Sequence, residues 1–416
     1  MGFSSKNIKK KKQVASVSFL SIAGTVFAMF FGAGNTVFPI IVGAVNYPHY
    51  FCASLGMIVS AVIVPLLGLI SILLYSGDYK KFFYSIGKVP GAFIFIAILC
   101  LIGPFGGIPR AIAISYSTLA SFSAKTSLLP SLPWFSFLCC VLIFLFSSKL
   151  SNLVAWLGYI FSPVMLLSLG WTVLQGLLQE AHTPELVALY PSRSQAFVSG
   201  FVEGFNTMDL LASFFFSSIL IVSLRELSRQ ESNPKQECDD TLLEFRALGK
   251  KSKKTIFLGF LLACLFLAVV YIGFSALASR HSGFLLYLPK GDCLGKICYL
   301  TLGNKAYIPA FGIFIACLTT EIALTGIFAD FMRRSCLPKN TPFSVAVVLT
   351  LIPTYLVSTL NFDNISDLLL PILQFCYPAL IGLTIGSICH KLWNLRHVGT
   401  ILFYAILALE LITRCL

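Results

Sequence analysis

Charged side chains are scarce in this sequence: they make up 11% of its 416 residues, against about 25% in an ordinary soluble domain. So few charges cannot cover a water-soluble globule of this size, which excludes a cytosolic enzyme, a secreted domain and a disordered chain. Strict alternation of apolar and polar residues is also missing, and that excludes a membrane β-barrel. No CxxC, HExxH or GxSxG pattern occurs, so neither a zinc site nor a hydrolase is indicated. The 5 histidines, His49, His182, His281, His390 and His397, sit in loops or at the ends of apolar runs. Of the 13 cysteines, most lie in or beside apolar runs, while Cys293 and Cys298 share a polar loop and could pair there.

What the chain has in abundance is apolar length. Spanning a hydrocarbon core about 30 Å thick takes roughly 20 apolar residues per helix. Segments of that kind run near 19–45, 50–75, 91–121, 131–148, 151–177, 196–224, 255–279, 304–331, 342–360, 366–389 and 398–415. The expected class is therefore an all-α polytopic membrane protein with about 11 (11–12) transmembrane helices. The first run is too long for the core of a signal peptide and no small-residue cleavage site closes it, so it is read as a retained span. A basic tail, 1–18, precedes it.

Lysine and arginine set the expected orientation. With a cytoplasmic N-terminus, 22 of the 30 basic residues fall on the inside and 7 outside, with Arg110 inside a span, as the positive-inside rule requires. The 280–303 loop is then external and the C-terminus faces outward. The one long hydrophilic connection, 225–254, carries mixed charges and reads as a cytoplasmic linker within the second half of the chain. The basic excess is accounted for by loops, so no nucleic-acid partner is expected; the lipid bilayer is.

Two spans are interrupted in matching places. The first reads Gly32-Ala33-Gly34-Asn35 near its middle and Pro39 beyond; the sixth reads Gly200-Phe201-Val202-Glu203-Gly204-Phe205-Asn206-Thr207-Met208-Asp209. Paired glycine-interrupted helices in the two halves of a transporter point to the substrate site. Unwound backbone at membrane depth is tolerated only where it lines a cavity or is buried in protein. For Gly200 and Gly204, close helix packing through small residues is the alternative.

Ionisable residues inside spans are a functional hypothesis by default, because a charge at mid-bilayer costs about 2.5–3.5 kcal/mol even on the insertion scale. Here they are Arg110, which follows the breaker-rich stretch Gly103–Pro109, together with Glu203, Asp209 and Glu321. They are candidates for a gate or a charge pair. In the eighth span, Thr319 and Thr320 beside Glu321 offer hard oxygen atoms suited to a small cation. Threonine in a membrane helix can instead bond its own preceding carbonyl.

These stretches together resemble the bacterial branched-chain amino acid:cation symporters. The resemblance rests on Gly32–Asn35 with Phe38-Pro39, on Gly103-Pro104-Phe105 with Ile108-Pro109-Arg110, and on Gly200–Gly204 with Thr207-Met208-Asp209. It implies a LeuT-like fold of two inverted five-helix repeats, 19–177 and 196–389, with an extra helix at 398–415. It also implies a sodium site built from Thr319, Thr320 and the carbonyls of Ala316, Ala28 and Phe31. Glu321 departs from the sodium-coupled pattern, which leaves proton coupling open.

The function expected is import of leucine, isoleucine and valine by symport with Na⁺ or H⁺ through a bacterial inner membrane, with no other cofactor and no catalysis. The half-helix N-terminus at Ala33 and Gly34, with Asn35, is suited to the substrate carboxylate. Freed carbonyls of both broken spans suit the ammonium group, and Phe205, Asn206, Thr207, Met208 and Leu210 line the sixth-span side, with Phe205, Met208 and Leu210 as its apolar wall. An ion channel or a structural membrane protein is the rival class; no filter-like motif supports a channel.

Overall fold

The computed structural model describes residues 19–75, 77–123, 129–147, 166–179, 189–190, 192–216, 250–338, 340–395 and 397–415. The basic tail 1–18, the start of the fifth predicted span (151–165), the end of the sixth (217–224) and the linker up to 249 lie outside them. All regular elements among the described residues are helical. Five helices are long and apolar enough to cross a membrane, at Tyr50–Leu74, Lys88–Phe122, Lys254–Arg280, Lys290–Ser335 and Phe362–Trp393. Shorter apolar helices at Ala33–Val45, Leu132–Ser147, Leu166–Leu178 and Phe343–Ser358 fall within predicted spans. Large apolar side chains such as Trp134, Leu167, Val269, Leu356 and Ile401 stay more than half exposed, as expected where lipid, not water, is the solvent.

The interruptions take distinct forms. Span 1 is split into Phe19–Phe30 and Ala33–Val45. Span 6 begins as Arg193–Glu203, tightens into a 3₁₀ turn at Gly204–Thr207, and resumes as a helix over 209–216. Span 3 is also split, into Lys88–Ile102 and Gly107–Ser123, where Gly103, Pro104 and Gly106 withhold helix-forming side chains or N–H groups. Span 2 keeps its direction but loosens into a π turn at Val59–Ile63.

Glycines allow the two halves to interlock. The first half of span 1 packs on span 7, and the first half of span 6 packs on span 2. A Cβ on Gly56 would sit 2.0 Å from the Phe197 carbonyl oxygen, and one on Gly200 only 1.9 Å from that of Ala53. Gly259 holds the related place in span 7, where a Cβ would come 2.7 Å from Ile22 Cγ2. Gly200 and Gly204 thus serve close packing: Gly204 meets Ser60, at 2.0 Å from a built Cβ. The 3₁₀ turn also begins at Gly204, so the same glycine serves both packing and the interruption of the helix.

Two expectations need correction. The 280–303 segment is not an open loop: Ser282–Leu285 and Lys290–Leu302 are helices. Asp363, at the start of span 10, caps the second by accepting from the Lys290 and Gly291 N–H groups at 2.7 and 3.4 Å. Cys293 and Cys298 are buried free thiols on that helix; five residues apart on a 3.6-residue turn, they project in different directions. The last helix, Val398–Cys415, packs on span 10 and is tied to the segment before span 3, where Tyr404 donates to the Ile86 carbonyl at 2.7 Å.

Candidate substrate-binding site

The two broken spans meet at their breaks. Gly32 ends the first half-helix's hydrogen bonding by turning its N–H to Asn35 Oδ1, 3.2 Å away. The same Asn35 side chain reaches the other repeat: Nδ2 donates to Asp209 Oδ2 at 2.6 Å and to the Tyr271 hydroxyl. That hydroxyl in turn donates to Asp209 Oδ2 at 3.4 Å. Asn35, Asp209 and Tyr271 are all buried, so one asparagine caps a half-helix and holds a carboxylate of the sixth span in place. Satisfied hydrogen bonds are what make such groups tolerable at this depth.

Gly34 marks the closest approach of the breaks. A Cβ built there would lie 3.1 Å from Thr207 Cα, 3.2 Å from its carbonyl oxygen and 3.5 Å from Arg110 Nη2. Ala33, Phe205, Asn206, Thr207 and Met208 are buried around it. Thr207 donates to the Gly204 carbonyl at 2.9 Å, which holds the 3₁₀ turn closed. Met208 ends that turn in the left-handed region at φ 62, unusual for a residue with a side chain. Phe205 stacks on Tyr377 with centroids 4.7 Å apart. The Tyr377 hydroxyl accepts from the Leu210 N–H at 3.0 Å, one of the amides freed by the break.

Leu210 does not join the expected apolar wall. A Cβ on Gly68 would come 2.8 Å from Leu210 Cδ1, so this side chain packs against span 2. Arg110 is buried, with its guanidinium 5.3 Å from the Phe38 ring centre. Among the described residues it forms no ion pair with Glu203, Asp209 or Glu321, so the expected charge pair is not made here. Glu203 is half-buried, and its Oε1 has no hydrogen-bond partner among the described residues.

In span 8, Thr320 faces the first break, 3.7 Å from a Cβ built on Gly32. Thr319 and Thr320 both donate to the Ala316 carbonyl, at 2.8 and 3.1 Å. This is the back-bonding open to any helical threonine, yet it leaves the hydroxyl lone pairs available to a cation. Phe31 lies at the break, outside either half-helix, and Ala28 one turn before it. Glu321, the next residue along span 8, is wholly buried. Its Oε2 has no hydrogen-bond partner among the described residues. No cluster of His, Cys, Asp and Glu able to hold a metal occurs among the described residues.

Tyr271 and Tyr377 escape sequence reasoning, because a tyrosine in an apolar run looks like any core aromatic. The available signal is a hydroxyl at membrane depth that must find a partner.

Residues 15–413 match the family described as branched-chain amino acid transport protein. The branched-chain amino acid permease BrnQ of Bacillus subtilis is 29% identical over 407 residues, covering 95% of this chain and 87% of the relative. BrnQ of Lactobacillus delbrueckii subsp. lactis is 27% identical over 93% of this chain and 84% of its own. The branched-chain amino acid transport system 3 carrier protein of Pseudomonas aeruginosa is 26% identical, over 93% and 83%. Among solved structures, Mhp1 in its inward-facing conformation superposes with a TM-score of 0.60 at 12% identity, over 96% of this chain and 91% of Mhp1. The fold is therefore LeuT-like.

Proposed function

The chain belongs to the branched-chain amino acid transport protein family, and on that premise we propose that it imports leucine, isoleucine and valine by symport with Na⁺ across a bacterial inner membrane. It is a multi-pass transporter and not an enzyme. The observation that carries the proposal is the junction of the two breaks, where Asn35 of span 1 holds Asp209 of span 6 at 2.6 Å beside the Gly34–Thr207 contact. A zwitterion cannot cross hydrocarbon without replacement of its hydration, and unwound backbone in both repeats supplies the donors and acceptors. Buried apolar groups there, Phe205 and Met208, favour a branched aliphatic side chain. Selection among the three substrates is shallow, since one methylene is worth only about 1–3 kcal/mol.

Sodium is favoured by Thr320 facing the first break, with Thr319 and the Ala316 carbonyl beside it. The second reading, proton coupling, draws on one observation: Glu321 is a buried carboxyl without a hydrogen-bond partner among the described residues. A carboxylate in that position is costly unless it binds a proton. Counterflow of labelled leucine in proteoliposomes, with Na⁺ and pH varied independently, separates these readings. Sodium coupling predicts that Thr320→Ala raises the Na⁺ concentration for half-maximal uptake by roughly tenfold, the loss of one charge-assisted oxygen contact. Glu321→Gln then keeps Na⁺-driven uptake. Uptake that ignores Na⁺, follows an imposed pH gradient and vanishes in Glu321→Gln makes the carrier proton-coupled. Absence of saturable exchange would return the chain to the channel class.

The N-terminus is proposed to be cytoplasmic. Single cysteines at Lys81 and Tyr287, whose side chains are open, test this in a cysteine-less background. An impermeant thiol reagent should label Tyr287→Cys in intact cells and Lys81→Cys only after permeabilisation. The reverse pattern inverts the topology.

A further inference from the structure

We propose that Arg110 is the receptor for the substrate's carboxylate, an assignment that rests on the amino-acid transport reading above. The argument begins with an unsatisfied charge. Arg110 is 3% exposed, and its Nη1 has no hydrogen-bond partner among the described residues. A guanidinium carries five N–H donors in a planar fork and no acceptor, so an idle end in a buried place represents a missing partner rather than a tolerable surface feature.

The position of the fork says where that partner sits. Span 3 restarts at Gly107 after its own break, which places Arg110 in the first turn of the new half-helix. Its guanidinium lies on Phe38, in the second half of span 1, 5.3 Å from the ring centre. Its Nη2 comes within 3.5 Å of the point a Gly34 Cβ would occupy, and Thr207 Cα lies 3.1 Å from the same point. The fork therefore stands where both unwound segments converge.

The internal anions do not complete it. Neither Asp209 nor Glu203 forms an ion pair with Arg110 among the described residues. Asp209 instead accepts from Asn35 and Tyr271. Two opposite charges face the same junction without contact. That arrangement suits a zwitterion, whose carboxylate takes two parallel N–H bonds from the fork. A chloride ion, with no pair of oxygens, gains nothing from the fork geometry.

Equilibrium dialysis with labelled leucine and labelled leucinamide, on detergent-purified full-length carrier, tests the assignment. Leucinamide keeps the side chain and ammonium group but has a neutral head. Wild type should bind leucine at least about 30-fold more tightly than leucinamide, the usual result of breaking a buried hydrogen-bonded charge pair. Arg110→Gln should bring that ratio close to one, chiefly by weakening leucine. Arg110→Lys keeps the charge without the fork and should fall between. A wild-type ratio under roughly threefold overturns the proposal whether or not any variant folds. So does a folded Arg110→Gln protein that keeps the preference. Binding of neither ligand by wild type overturns the transport reading itself, and the anchor with it.

Discussion

The breaks in spans 1 and 6 occupy matching places in the two repeats but are made differently. In span 1 the hinge is extended: Gly32 has φ −127 and ψ −165, a conformation any residue adopts, and Asn35 takes over its N–H. In span 6 the chain tightens through a 3₁₀ turn and leaves it at Met208 in the left-handed region, where side chains are disfavoured. Glycine content advertises the first break and the start of the second, yet the residue under backbone strain is a methionine. The glycine that matters most in span 1 is Gly34, for the lack of space beside Thr207 and not for its torsions.

This contrast can be broken by substitution. The largest effect is expected for Gly34→Val: uptake should fall to background at normal insertion, because even a Cβ lies 3.1 Å from Thr207 Cα and a β-branched side chain adds bulk beside the backbone. Near-normal counterflow by an equal amount of inserted protein would remove Gly34 from the site. Met208→Ile comes next, with a lower melting temperature in detergent, because β-branching adds crowding at positive φ to the penalty of about 1–2 kcal/mol that any Cβ, methionine's included, bears there. Met208→Gly should lie well above it. Tyr271→Phe removes a hydroxyl bonded to both Asn35 and Asp209, and should weaken apparent leucine affinity by about 5–10-fold, or ~1–1.5 kcal/mol. Smallest is Gly32→Ala, within about threefold of wild type in uptake, since its Cβ meets Thr320 at 3.7 Å and Asn35 Oδ1 at 3.9 Å, both ordinary contacts. A Gly32→Ala effect as large as that of Gly34→Val would show that the two glycines are equivalent after all.

Much of the frame was readable from residue order. Apolar runs located the spans, glycines with polar neighbours located both breaks, and intramembrane charges marked Arg110, Asp209 and Glu321 as unusual. Failures came wherever facing direction decided the outcome. Leu210 was expected towards the substrate, but its side chain lies on Gly68. Lys290–Leu302 looked like part of a polar loop, because its capping carboxylate, Asp363, belongs to span 10. Tyr271 and Tyr377 were indistinguishable from core aromatics until their hydroxyl partners were placed.

The amino-acid sequence by itself determined that this chain lives in a bilayer and how many apolar segments it offers. Both follow from a local quantity, the length of an apolar run against the thickness of hydrocarbon. Only the tertiary structure decided which polar groups meet. Asn35 finds Asp209 at a sequence separation of 174 residues and Tyr271 at 236, and no periodicity or propensity encodes such a meeting. It arises because span 1 lies on span 7 and span 6 on span 2, with glycines that let backbones touch. Each freed polar group then has to find its partner within the protein, in its own repeat or the other, since lipid offers none.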